Sequence, residues 1–284
     1  MRIGTTFRPK AMAHGRFGER AFGKIRSHGF DAVDYNISET ETELYAWDEV
    51  TLKANMQEEA ARCRAAGLEI FQVHGPWRWP PQDATPQQRE ERMEKMKRSV
   101  LATELLGCRY LVVHPIMPFG VEELGTENAP KTWDLNRAFF FELLPFAKAH
   151  GVTVCLENMP MRRFSLATPE QILSFVEQMN DESLRICLDT GHVAVFPQLS
   201  VGDEVRRLGD LIKVLHVHDN PGDGDAHLPP KSGIIDWEDT ARALREIGYG
   251  GVFSLETVPP SQLDDYEFEQ ASRRLAALCR DILI

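Results

Sequence analysis

Three stretches decide the fold: Thr153–Glu157 (TVCLE), Arg185–Asp189 (RICLD) and Ile212–His218 (IKVLHVH). Each is a short run rich in aliphatic and β-branched residues that finishes in an acid or an imidazole. Segments of helical periodicity separate each from the next. The same pattern extends outward in both directions. Ile3–Thr6, Ala32–Tyr35, Glu69–His74 and Tyr110–His114 precede these stretches, and Val252–Glu256 follows them. The intervening segments are long enough to be the crossovers that parallel strands require.

The clearest helix is expected from Gln87 to Leu106, with Met93, Met96, Val100, Leu101 and Leu105 on one apolar face. That face suits packing against a sheet. Gly67, Gly107, Gly151 and Gly250 stand where a helix has ended and a strand is about to begin, the position of a C-cap glycine. Alternating strand and helix implies a parallel sheet covered by helices, and eight such units are the number that closes a barrel. A doubly wound open sheet lacks support, because no G-x-G-x-x-G follows the first strand. The expectation is an α/β fold, a (βα)8 TIM barrel, with residues 1–284 forming a single domain.

Bulk properties narrow the function. No low-complexity or Pro/Ser-rich linker interrupts the 284 residues, and 43% hydrophobic with 26% charged residues suits a water-soluble globular chain. The net charge of −11 argues against a nucleic-acid partner, since phosphate binding rests on Lys and Arg contacts. No apolar run approaches the roughly 18 residues of a membrane span, and the start, MRIGTTFRPK, has no apolar core of a secretion signal. Five scattered cysteines without a C-x-x-C pair read as buried thiols in a reducing cytoplasm. An interface between copies of the chain could recruit apolar loop residues, so a homo-oligomer stays open.

The chemistry lies at the strand ends, where barrel enzymes place it. Six consecutive strands finish in His, Asp or Glu: His74; His114; Glu157; Asp189, with His192 three residues on; His216 and His218; and Glu256. Asp and Glu are rarely buried unless paired or bound to a metal. Several of them converging on one axis would repel unless a cation neutralised them. That implies one divalent ion, and mixed carboxylate and imidazole donors suit Mn²⁺, Mg²⁺, Co²⁺ or Zn²⁺.

The loop after the seventh strand, NPGDGDAHLPPKSGIIDW, adds Asp225 and His227. An EF-hand reading of it fails at Pro221, and no Glu closes the loop. It reads instead as a substrate-facing loop. Trp77, Arg78 and Trp79 follow His74 and belong at the barrel mouth, where an aromatic face could stack on a sugar or a base. Arg162 and Arg163 read as solvated or ion-paired rather than as a phosphate clamp. Phe7 and Tyr35 fit either an apolar pocket wall or the core.

The motifs VHGPW, VVHP, LEN, LDTGH, HVHD, D-x-HLPP, G-x-IDW and SLE together resemble the xylose-isomerase-like TIM-barrel superfamily, in order and over nearly the whole chain. That group includes sugar-phosphate isomerase/epimerase-like proteins, ketose 3-epimerases, inosose dehydratases and endonuclease IV. The resemblance implies that Glu157, Asp189, His216 and Glu256 hold the metal and that His192 contacts substrate oxygens. His74, His114, Asp225, His227 and Trp77 join His192 as substrate-binding candidates. His74 and His114 could equally bind metal or brace Glu157.

The implied reaction is epimerisation or isomerisation of a sugar or sugar phosphate. A metal on the carbonyl and adjacent hydroxyl acidifies the C–H between them, and the enediolate is reprotonated with Glu157 and Glu256 as opposed acid and base. Expulsion of a β-hydroxyl instead would make the protein an inosose-dehydratase-like lyase. An endonuclease IV-like phosphodiesterase for abasic DNA is the rival. Its three zinc ions resemble a site built from His74, His114, Glu157, Asp189, His192, His216, Asp225, His227 and Glu256. The acidic charge and the segment HLPPKSGIIDW favour the sugar reading. A non-catalytic sugar-binding barrel fits poorly with the presence of both Glu157 and Glu256. Lys231 departs from the isomerase-like pattern, which commonly has Gly there.

Overall fold

The computed structural model describes residues 1–9 and 17–284. Its eight strands are β1 (Arg2–Phe7), β2 (Ala32–Asn36), β3 (Glu69–His74), β4 (Tyr110–Val113), β5 (Thr153–Glu157), β6 (Leu184–Asp189), β7 (Ile212–His216) and β8 (Val252–Leu255). They form one sheet in the order β7-β6-β5-β4-β3-β2-β1-β8, and every ladder is parallel. The seam between β7 and β8 closes just beyond the strand ends. There Val217 N–H donates to the Ser254 carbonyl at 2.8 Å, and Glu256 N–H donates to the Val217 carbonyl at 3.0 Å. The (βα)8 expectation holds.

Nine α-helices lie outside the sheet among the described residues: α1 (Ala21–His28), α2 (Glu49–Ala65), α3 (Pro86–Leu105), α4 (Asn128–Ala149), α5 (Pro169–Met179), α6 (Thr190–Ala194), α7 (Val201–Leu208), α8 (Trp237–Glu246) and α9 (Asp265–Leu283). Local chemistry starts them cleanly. Thr85 and Gln88 form a reciprocal capping box around Pro86 at the head of α3, and Thr168 and Gln171 repeat it around Pro169 at α5. On α3, Met93, Met96 and Val100 are buried, whereas Leu101 and Leu105 sit at the edge of the packed face. None of the helices is long and apolar enough to cross a membrane.

Three of the four expected helix-ending glycines adopt the left-handed backbone: Gly67 (φ 74°), Gly107 (φ 73°) and Gly151 (φ 66°). Gly250 does not. Helix α8 stops at Glu246, so Gly248, at φ 66°, takes that role, and Gly250 belongs to the approach to β8. Strand ends differ slightly too. His114, His218 and Glu256 lie one or two residues past the ladders, where the chain turns into loops.

Side-chain alternation along the strands sets the layers inside the barrel. Val112, Cys155, Cys187 and Val214 meet as an apolar layer contributed by four neighbouring strands. Two residues further along each chain come His114, Glu157, Asp189 and His216. The barrel therefore delivers those four side chains to one level above an apolar floor. All five cysteines are free and buried, as expected.

Helix α6 follows β6 without a loop because Asp189 caps it, its Oδ1 accepting from His192 N–H at 2.7 Å. Gly191 in that turn lies against the His218 ring, and a Cβ there would fall 1.9 Å from Cε1. Gly191→Ala is expected to cost about 1–3 kcal/mol by overpacking, read as a lower urea midpoint at unchanged slope. An unchanged midpoint would contradict this packing.

Candidate metal centre and active site

The upper layer converges on Glu157, which is almost wholly buried. Its Oε1 lies 2.9 Å from His216 Nδ1, and its Oε2 lies 2.9 Å from His114 Nε2 and 3.8 Å from His74 Nε2. His192 Nδ1 is 3.7 Å from Oε1. Four imidazoles thus surround one carboxylate. Oε2 nevertheless makes no well-directed hydrogen bond. Glu157, Asp189, His216 and Glu256 each offer a donor atom, and the four atoms lie within 4.8 Å of one another. His74, Glu157 and His216 form an overlapping group of the same kind.

Orienting contacts hold these donors. Asn158 braces the carboxyl end of β6: its amide oxygen accepts from Asp189 N–H at 2.8 Å and its amide nitrogen donates to the Asp189 carbonyl at 3.0 Å. His216 Nε2 faces Asp34 Oδ2 at 3.1 Å, and the ring stacks on His74 with centroids 5.4 Å apart. His192 directs Nδ1 at the Asn158 carbonyl at 2.7 Å, which leaves Nε2 toward Asp225 at 3.3 Å.

Electrostatics divide the imidazoles into two kinds. Burial pulls the pKa of His74 and His114 down. Burial would also raise Glu157, but the His216 and His114 rings hold its carboxyl well below the usual range. Around His192 burial opposes charge, and the carboxylates of Asp189 and Asp225 overcome it, raising the pKa to about 10. His227 rises to about 9 against burial, through Asp225 and Glu256.

A second group joins His192, His218, Asp225 and His227. Asp225 lies 3.3 Å from His192 Nε2, 3.6 Å from His218 Nε2 and 3.2 Å from His227 Nε2. The rings of His218 and His227 stack at 4.1 Å. The loop after β7 therefore folds inward, and its Asp and His reach the strand-borne groups.

Above both groups opens a cavity of about 450 Å³, lined by His74, His114, Glu157, His192, Asp225, His227 and Glu256 on the chemical side. Trp77, Met159, Pro160 and Met161 form an apolar wall. Trp77 packs edge-on against His114 at 4.5 Å. Trp79 lies at the rim, 61% exposed. Arg78 turns away to pair with Glu41 and Glu91. Arg163 pairs with Glu122, and Arg162 donates to the Gly222 carbonyl. Phe7 and Tyr35 are core residues, packed on each other and with Phe7 on Phe22. Lys231 is exposed and has φ 68°, a backbone that favours the Gly expected there.

Sequence reasoning named His218 at the end of the seventh strand and held Asn158 within the motif LEN without giving either a role, and it passed over Asp34. Asp34 carried a different signal, a lone carboxylate inside an otherwise buried strand, AVDYN.

Comparisons with known proteins agree with this architecture. The model of the family described as a xylose isomerase-like TIM barrel matches residues 22–280. An uncharacterized protein of Methanocaldococcus jannaschii is 32% identical over 192 residues, 65% of this chain and 63% of that protein. D-psicose 3-epimerase of Ruminiclostridium cellulolyticum is 28% identical over 125 residues, 44% of this chain and 41% of that protein. In both cases the match spans less than two thirds of the relative's length. Among solved structures, a D-tagatose 3-epimerase-like protein aligns over 100% of this chain and 97% of its own, with a TM-score of 0.77 at 24% identity. That last likeness speaks for the fold alone. The family match, running through every strand from β2 to β8, means that the chain belongs to the xylose isomerase-like TIM-barrel family.

Proposed function

We propose that this chain is a metal-dependent epimerase or isomerase of a small, uncharged ketose. The observation that carries this reading is the convergence of donor atoms from Glu157, Asp189, His216 and Glu256 within 4.8 Å, at the base of a cavity about 450 Å³ in volume. The relatives named as D-psicose 3-epimerases support it.

The four side chains fit a divalent cation. Three carboxylates and one imidazole are oxygen-rich donors suited to Mn²⁺, Mg²⁺, Co²⁺ or Zn²⁺, and the undirected Oε2 of Glu157 gains a partner. When bound, such an ion supplies a Lewis acid that polarises a ketose carbonyl and its neighbouring hydroxyl. The chain's own residues do the rest. Glu157, held ionised by its imidazoles, accepts the proton from the carbon beside the carbonyl. Glu256, three strands further round the barrel, returns one from the other side, which inverts that carbon. His192 and Asp225, whose Nε2 and Oδ2 lie 3.3 Å apart, line the cavity together and meet a substrate oxygen as a pair. Trp77 and the Met159–Met161 segment cover the apolar face of the sugar and exclude water. The D-psicose 3-epimerase relatives favour a free sugar over a sugar phosphate, and Arg8 is the one Lys or Arg among the cavity's described lining residues.

A three-zinc phosphodiesterase would need Asp225, His192 and His227 as ligands of further ions. In this chain Asp225 already lies between two imidazoles, 3.3 Å from His192 Nε2 and 3.2 Å from His227 Nε2, so its carboxylate has partners within the chain. Paired in this way, His192 and His227 line the cavity toward substrate oxygens.

Incubation with Mn²⁺ and D-tagatose, D-psicose or D-fructose in D₂O is expected to yield an epimer or isomer with one solvent deuterium at the reacting carbon. Glu256→Gln and Glu157→Gln should each lower kcat by about 10²–10⁴-fold. A Glu157→Gln variant that keeps its metal and full activity would overturn the role given to Glu157, and a dehydrated product would move the protein to the lyases. Mn²⁺ at 100 times its Kd should stabilise the fold by about 2.7 kcal/mol, seen as a rise in Tm that EDTA reverses. No rise with any of the four cations would count against the metal reading.

A further inference from the structure

Asp34 sits in the middle of β2, in register with Thr6 on β1 and Gln72 on β3. It is fully buried inside the barrel. Among the described residues its one side-chain partner is His216, with Oδ2 3.1 Å from Nε2, while Oδ1 has no hydrogen bond. No Lys or Arg pairs with it in the described residues. Taking a carboxylate out of water is costly unless a specific interaction offsets it. An apolar residue would fill this inward position at no such cost, so the carboxylate calls for an explanation.

His216 supplies one. An imidazole presents one nitrogen to a metal, and the hydrogen bond made by the other decides which nitrogen that is. Nδ1 of His216 faces the carboxylates, 2.9 Å from Glu157 and 3.7 Å from Glu256. Stacking on His74, with interplanar angle 1°, fixes the plane of the ring. It does not fix the facing, because a half-turn about Cβ–Cγ preserves the stack while carrying Nδ1 away from Glu157. Asp34 breaks that degeneracy: after a half-turn its oxygen would no longer meet Nε2–H.

We propose that Asp34 is a positioning residue of the metal centre, accepting the Nε2–H of His216 so that Nδ1 is the nitrogen held toward the ion. The inference rests on the metal reading above and adds to it a residue from β2, on the far side of the barrel from the strands that carry the ligands. It places no substrate contact on Asp34, which lies below the ligand layer and outside the cavity lining.

The test is calorimetric titration of Mn²⁺ into metal-free wild type, Asp34→Asn, Asp34→Ala and the control Glu123→Gln. Glu123 is an equally buried carboxylate that bonds Ser165 and Thr132, away from the centre. Asp34→Ala is expected to weaken Mn²⁺ binding about 10–100-fold. Asp34→Asn should weaken it less, since its amide oxygen still accepts from Nε2–H, and Glu123→Gln should leave the affinity unchanged. ¹⁵N NMR of the Zn²⁺-loaded wild type reads the same point without a mutation, with His216 Nδ1 on the metal and Nε2 protonated. Unchanged affinity in Asp34→Ala, or NMR placing the metal on Nε2, overturns the role of Asp34. A wild type that binds neither ion overturns the metal reading itself, and the two failures are distinct.

Discussion

A carboxylate withdrawn from water and ringed by four imidazoles is the constraint on which the rest of this structure depends. Burial penalises the charge on Glu157, and His114 and His216 at 2.9 Å offset that penalty. Those rings in turn could not be there without strands that alternate inward and outward at a fixed pitch. The apolar layer of Val112, Cys155, Cys187 and Val214 seals the barrel beneath it and keeps bulk water from screening the charges. Helix capping, the α6 turn and the closure at Val217 all hold groups at the carboxyl ends of the strands in place.

The site divides into a rigid part and a loop-borne part. Glu157, Asp189 and His216 are carried by strands and so share the precision of the sheet. Asp225 and His227 arrive on the loop after β7, which is pinned from below. There Asp219 accepts from the Trp237 indole at 2.8 Å, and Asp219 and Leu228 exchange backbone hydrogen bonds. This division suits a centre whose donors must not move while the groups that meet a sugar adapt to its hydroxyls.

Much of this was legible in the sequence, for a physical reason. Strands of a parallel barrel are apolar except where they end, so an acid or imidazole after LVV, VCL, ICL or KVL stands out against its own strand. That contrast marked six strand ends; the resemblance to the xylose-isomerase-like superfamily singled out Glu157, Asp189, His216 and Glu256 among them, and the structure brings their donor atoms together. Asp34 was passed over because it lies mid-strand, where the rule of strand ends says nothing and only the parity of the inward face identifies it. Gly250 was misread because two glycine positions, 248 and 250, satisfy the same pattern, and only the last turn of α8 decides between them. Arg162 and Arg163 read as solvated or ion-paired, and Arg163 does pair with Glu122, whereas the partners of Arg78, Glu41 and Glu91, could not be named from sequence.

The central claim is that the layer around Glu157 holds one divalent ion while the carboxylate of Asp225 is partnered by the His192 and His227 imidazoles rather than by further ions. Elemental analysis of the protein purified without added metal tests it most directly. The account predicts close to one divalent ion per chain, removable by chelation and replaceable by Mn²⁺ or Mg²⁺. Close to three zinc ions per chain would contradict it, because Asp225, His192 and His227 would then be ligands and the chemistry that of phosphodiester cleavage.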